Sequence, residues 1–135
     1  MNKPAALSVD VVIPVFNAPE LTKRCIDSVM THLKQSIEAV YVQDDASSDE
    51  TRAMLDDLRY PQVHIYHAPE NQGFGKSVND AVARSDADLV FVLNSDTEID
   101  EDFLPVLCAA FVADPELAAI SPGHKNFFRH ELERY

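Results

Sequence analysis

Basic side chains are scarce in this chain: 11 Lys and Arg stand against 23 Asp and Glu, a formal charge of −12 over 135 residues. The few cations are scattered and form no stripe that could follow a phosphate backbone, which excludes nucleic acid as a partner. The same balance argues against an anionic membrane surface. Long apolar runs are also missing; none approaches the roughly 20 residues that span a bilayer. The opening "MNKPAALSVD" lacks the apolar stretch of a signal peptide, so a cytoplasmic location is expected. Cysteine occurs only twice, at Cys25 and Cys108, each at an apolar position of an expected helix and without C-x-x-C spacing. Buried thiols without a disulfide are the expectation. There is no repeat and no low-complexity segment.

Glycine occurs three times, and this shortage removes two phosphate-binding readings of "GFGKS". A phosphate loop G-x-x-x-x-G-K-[ST] ending at Gly75-Lys76-Ser77 would need glycine where Glu70 stands. A dinucleotide fingerprint G-x-G-x-x-G would need glycine at Val78 and should follow the first strand, not the third. A glycine-containing turn that opens a helix remains, either as a plain turn or with backbone N–H groups near an anion.

Hydrophobic residues make up 46% of the chain and charged residues 25%, the balance of a globular protein with one core. A single domain over residues 1–135 is expected. Short Val-, Ile- and Tyr-rich runs at Val9–Pro14, Ala39–Gln43, Val63–His67 and Asp88–Leu93, with a weaker one at Leu117–Ser121, read as strands. Between them lie helical periodicities: Leu21, Cys25, Val29 and Leu33; Ala53, Met54 and Leu58; Val78, Ala81 and Val82; Leu104, Leu107, Cys108 and Phe111. Strand–helix alternation with strands apolar on both faces, as in "VVIPV" and "LVFVL", predicts an α/β fold: a mainly parallel, Rossmann-like sheet with helices on both faces. Ser47 with Glu50 reads as a capping box, and Asp100 or Asp102 as the cap of the helix carrying Pro105 in its first turn. The segment 122–135, "PGHKNFFRHELERY", breaks the alternation. Its adjacent phenylalanines would seek cover, in self-association or against a partner outside the chain.

In an open parallel sheet the ligand crevice lies at the carboxyl ends of the strands, where the strand order reverses. The loops there carry Phe16-Asn17, Asp44-Asp45, Glu70-Asn71-Gln72-Gly73 and Asn94-Ser95-Asp96. Adjacent carboxylates at 44 and 45 form either a solvated turn or acceptors for a ribose or a pyrimidine imide. Asp96 and Asn94, beyond a buried strand, either cap a turn or begin a divalent-cation site completed by diphosphate oxygens and water, as Mg²⁺ and Mn²⁺ are commonly held. At ~4 Å and an effective dielectric near 20, an unbridged carboxylate and phosphate repel by about 4 kcal/mol, which is why an acidic protein binding an anionic nucleotide wants a cation between them. The five histidines show no metal-ligand spacing, and surface roles are expected for them.

"VDVVIPVFNAPELTKRCIDSV", "VYVQDDASSDET", "NQGFGKSVNDAV" and "DLVFVLNSDTEI", in this order and spacing, closely resemble the amino-terminal half of family 2 glycosyltransferases of GT-A fold, from about Val9 to Ile120. The resemblance implies transfer of a sugar from a nucleotide diphosphate donor to a glycan, lipid-linked or protein acceptor, with inversion at the anomeric carbon. By position, Pro14, Phe16 and Asn17 would line the base pocket, and Asp44 and Asp45 would hold base or ribose. Gly73 and Lys76 would lie near the nucleotide, with Asn94 and Ser95 beside it and Asp96 as the Mn²⁺- or Mg²⁺-binding acid of the D-x-D element. That element reads Asn94-Ser95-Asp96 here, a variant similar to that of rhamnosyl- and other polysaccharide-building transferases. The family's general base falls well downstream, so the chain is expected to be the donor- and metal-binding part of a longer, membrane-peripheral enzyme, without Glu131 or Glu133 as base. Two rivals are weighed: a nucleotidyltransferase, which would want glycine and arginine in "PVFNAPELTKR", and a receiver module, which would want other residues at Asn17, Glu70 and Pro122.

Overall fold

A computed structural model describes residues 6–123. These fall into two compact units that divide between Asp102 and Phe103. The first contains β1 (Val9–Val15), α1 (Pro19–His32), β2 (Val40–Asp44), α2 (Asp49–Asp56), β3 (Val63–His67), α3 (Phe74–Val82) and β4 (Leu89–Val92); the second contains α4 (Leu104–Ala113). The strands form one parallel sheet in the order β3-β2-β1-β4. This is the expected Rossmann-like α/β architecture.

All seven residues of β1 are buried, because the strand is paired on both edges and covered on both faces. The apolar sequence VDVVIPV meets that demand except at Asp10. Its carboxylate is satisfied internally by the Ala39 amide at 3.0 Å and the Ser85 hydroxyl at 2.5 Å. The chain steps from β1 to β2 to β3 in one direction and then returns past both to β4. Right-handed crossovers therefore put α1 and α2 on one face and α3 on the other. In agreement, α1 packs on α2, and α3 packs across β1 and β2. Each helix turns its apolar stripe inward: Cys25, Ile26, Val29 and Met30 from α1, Leu55 from α2, Ala81 from α3.

Several local expectations are corrected. The strand expected at Leu117–Ser121 does not form; these residues are irregular, led by a turn in which Leu117 N–H reaches Asp114 O, and Pro122 follows. The run LAAIS has few β-branched residues to favour extension over that turn. The Ser47–Glu50 capping box is also absent: α2 starts at Asp49 after Ser48, with no side-chain cap, because Ser47 Oγ is taken by the Asn17 amide. At α4 the cap position is Phe103, not an acid, and Asp102 instead accepts from the Ser36 hydroxyl; Pro105 does sit in the first turn. β4 is half-buried where full cover was expected, since it is the edge of the sheet. No disulfide joins Cys25, which is buried, to Cys108, which is only partly so. Among the described residues, no helix is long and apolar enough to cross a membrane. Most of the 122–135 tail, with Glu131, Glu133 and the proposed self-association surface, lies outside the described residues.

Candidate functional site

The order β3-β2-β1-β4 reverses direction at β1, so the carboxyl ends of β1 and β4 splay apart there and leave a crevice. An open cleft of about 660 Å³ occupies this point, within the usual range for small-ligand sites. Its wall comes from four loops far apart in the chain. Pro14, Phe16, Asp45, Gly73, Asn94, Ser95 and Asp96 all line it, so seven of the ten expected site residues are brought together. Asn71, from the loop expected at the crevice, also lines it, as do Phe74 and Ser77 at the start of α3, which were not expected there.

Asn17, Asp44 and Lys76 are not among the lining residues. Asn17 sits behind the wall in a left-handed conformation, φ 58°, which asparagine tolerates. Its amide donates to Ser47 Oγ at 2.8 Å and its side-chain oxygen accepts from the Ser48 amide at 2.9 Å, lacing the β1–α1 loop to the β2–α2 loop. Lys76 points along α3 and pairs with Asp80 one turn on, at 3.2 Å. Asp44 is fully buried and accepts from Ser47 N–H at 3.1 Å and from His67 at 2.7 Å.

Asp45 turns the other way, into the loop after β3. One carboxylate oxygen accepts from the Gln72 amide at 2.7 Å and the other from the Gly73 amide at 2.9 Å, while its carbonyl accepts from Asn71 Nδ2 at 3.2 Å. These bonds fix the mouth of α3. Gly73 there has φ 89° and ψ 164°, a conformation that side chains other than glycine rarely adopt, and α3 begins with no side-chain cap. Ser77 Oγ, in the first turn of α3, is buried without a hydrogen-bond partner.

The segment after β4 is held by α1. Cys25 Sγ lies 3.5 Å from Asn94 O, Arg24 pairs with Glu98, and Ser28 Oγ accepts from the Ile99 amide at 2.9 Å. Burial pushes the Cys25 thiol up to about 12, so it packs as a neutral group under the cleft. Asp96 projects between these anchors. It is exposed, and among the described residues its carboxylate has no hydrogen-bond or ion-pair partner. Phe16 and Phe74 are 55% and 62% exposed, a solvation cost that flat apolar surfaces at a cleft rim recover when a ring stacks on them.

Electrostatics limit what can enter. The lining contains two carboxylates, Asp45 and Asp96, and no lysine or arginine. An anionic ligand there would face negative charge, and the Asp96 carboxylate is the group of the lining best suited to a bridging cation. Among the described residues, no group of three or more His, Cys, Asp or Glu is arranged to hold a metal ion, so they offer no closed cage. A hard cation held by one carboxylate and completed by ligand oxygens and water fits this donor set.

The signature "Glycosyl transferase family 2" matches residues 10–132. An "N-acetylglucosaminyltransferase" of Rhizobium sp. (strain N33) is 34% identical over 83% of this chain and 26% of its own length. A "Chondroitin synthase" of Pasteurella multocida (strain Pm70) is 28% identical over 87% of this chain and 12% of its own. The chain thus spans about a quarter or less of these relatives. In fold, it matches the crystal structure of S. aureus TarS 1-349 with a TM-score of 0.68 and 22% identity, covering 79% of this chain and 33% of that one. Nothing in these findings favours the nucleotidyltransferase or receiver alternatives. With the signature matched over nearly its whole length, and its strand-end loops gathered at one crevice, the chain belongs to glycosyl transferase family 2.

Proposed function

We propose that this domain binds the nucleoside diphosphate sugar for an inverting transfer to an acceptor hydroxyl, as the donor half of a longer enzyme. The observation that carries this reading is the uncommitted Asp96 carboxylate facing a cleft with aromatic rims and no basic side chain. In this reading the base lies against Phe16 and Pro14, with Phe74 opposite and the loop held by Asp45 below. The diphosphate runs toward Asn94, Ser95 and Asp96. Asp96 would hold Mn²⁺ or Mg²⁺, which supplies charge neutralisation of the leaving diphosphate. The amide at Asn94, where the D-x-D element has an acid, leaves Asp96 as the single anionic protein ligand.

The chain's own residues bind and orient. A base is needed to take the acceptor proton as the hydroxyl attacks the anomeric carbon, and the two carboxylates in the cleft are committed otherwise: Asp45 to backbone amides, Asp96 to the cation. The base and the acceptor site are therefore assigned to the part of the enzyme beyond this domain. The name of the Rhizobium relative makes UDP-N-acetylglucosamine the first donor to try. Calorimetric titration of that donor with MnCl₂ should show metal-dependent binding, weakened at least about tenfold, or 1.4 kcal/mol, in Asp96→Ala. Equal metal-dependent affinity in wild type and Asp96→Ala would defeat the reading.

A further inference from the structure

His67 is the last residue of β3, and the sheet register sets it beside Asp44, the last residue of β2. Its Nδ1 lies 2.7 Å from Asp44 Oδ2, and its Nε2 lies 2.7 Å from Asp56 Oδ1 at the end of α2. A carboxylate at each ring nitrogen is satisfied only when both nitrogens carry protons, so the geometry calls for imidazolium. The inner carboxylate is 0% exposed and the ring 20%, whereas Asp56 is 64% exposed. The charged groups facing the ring are thus Asp44 from β2 and Asp56 from α2. Among the described residues, no lysine or arginine pairs with either carboxylate; Arg59 reaches the Asp56 and Leu58 carbonyls and the Asp57 side chain.

The cluster connects to the cleft. Asp44 Oδ1 accepts from the Ser47 amide, Ser47 Oγ accepts from the Asn17 amide, and Asn17 lies between the lining residues Phe16 and Ala18. The next residue along, Asp45, holds Gln72 and Gly73. Neutral His67 can donate to only one carboxylate, which leaves the buried Asp44 charge uncompensated or the outer tie broken.

We propose that His67 is a positioning residue for the donor cleft: as an imidazolium bridging Asp44 and Asp56 it holds the β2–α2 turn that sets Phe16 and Asp45, and its deprotonation loosens that turn and weakens nucleotide-sugar binding. The binding part of this inference rests on the donor reading above. Burial opposes the charged ring, but the hydrogen bonds and charges of Asp44 and Asp56 outweigh it and raise its pKa above 6.5. The tie is therefore complete below about 6.5 and is lost as pH climbs through the raised value.

Amide NMR between pH 5.5 and 8.5 tests the coupling without ligand. The Ser47 and Asn17 amides should titrate with the His67 ring in wild type and remain still in His67→Gln. UDP-N-acetylglucosamine, which has no phosphate titrating in this range, should bind with Mg²⁺ about tenfold more weakly at pH 8.5 than at 6.5 in wild type. His67→Gln should bind weakly at both. If that variant does not fold, Asp56→Asn replaces it, removing the exposed carboxylate and lowering the pH at which both readouts change. Ser47 and Asn17 amides that stay still while the ring titrates would overturn the positioning role. A wild type that binds no nucleotide sugar at any pH would overturn the donor reading, while the amide titration still decides the coupling.

Discussion

Replacing Asp45 with alanine should loosen the loop between β3 and α3 more than any other single change at the cleft. Its carboxylate is buried, 4% exposed, and accepts from the Gln72 and Gly73 amides at 2.7 and 2.9 Å. A hydrogen bond to a charged group contributes about 1.5–3 kcal/mol, giving about 3–6 kcal/mol for the pair before corrections. Two effects reduce this. Gln72 and Gly73 are half-buried, so water can reach amides that lose their partner. Removing one of two adjacent carboxylates also relieves repulsion with Asp44, which His67 already offsets in part. A net cost of about 2–3 kcal/mol follows, a fall in Tm of about 6–15 °C for a domain of this length. Asp45→Asn keeps one acceptor oxygen and should lose about half as much. Thermal melts give the stability, and amide exchange at Gln72 and Gly73 reports the loop itself. A fall of less than about 2 °C with both amides still protected would refute the assignment of Asp45 as the anchor of this loop.

Gly73→Ala isolates a different term at the same place. A Cβ there would meet nothing within 4 Å, so the cost is backbone strain at φ 89° alone, about 1–3 kcal/mol in denaturant unfolding; an unchanged midpoint would show that the turn readily adopts another shape. Phe16→Ala should leave stability nearly unchanged, because the ring is 55% exposed, and weaken UDP-N-acetylglucosamine binding by about 1–3 kcal/mol if a base stacks on it. Calorimetry on this variant checks both halves, and unaltered affinity would remove Phe16 from the base pocket.

The hydrophobic runs located the four strands of the sheet because β1 and β2 are buried on both faces and must be apolar throughout. Gly73 and Pro105 marked helix starts for local steric reasons, and both marks hold. Local logic failed where a distant group competed for the same atom. Ser47 was read as a helix cap, but its hydroxyl serves Asn17, 30 residues away. His67 was read as a surface residue, since no spacing along the chain reveals the carboxylates 23 and 11 residues distant that hold it. Cys25 was read as a buried thiol on a helical period and Arg24 and Ser28 drew no reading, yet all three anchor the loop of Asp96 from across 69 to 74 positions.

The sequence by itself determined the alternation of strand and helix, the order of the loops that follow the strands, and the chemistry each loop carries, because these depend on patterns within about ten residues. Tertiary structure alone decided which of two adjacent acids reaches the cleft. Asp44 and Asp45 are equivalent as text, but successive side chains at the end of a strand point to opposite sides. The placement of β2 between β3 and β1 then sets one beside His67 and leaves the other at the crevice with Asp96.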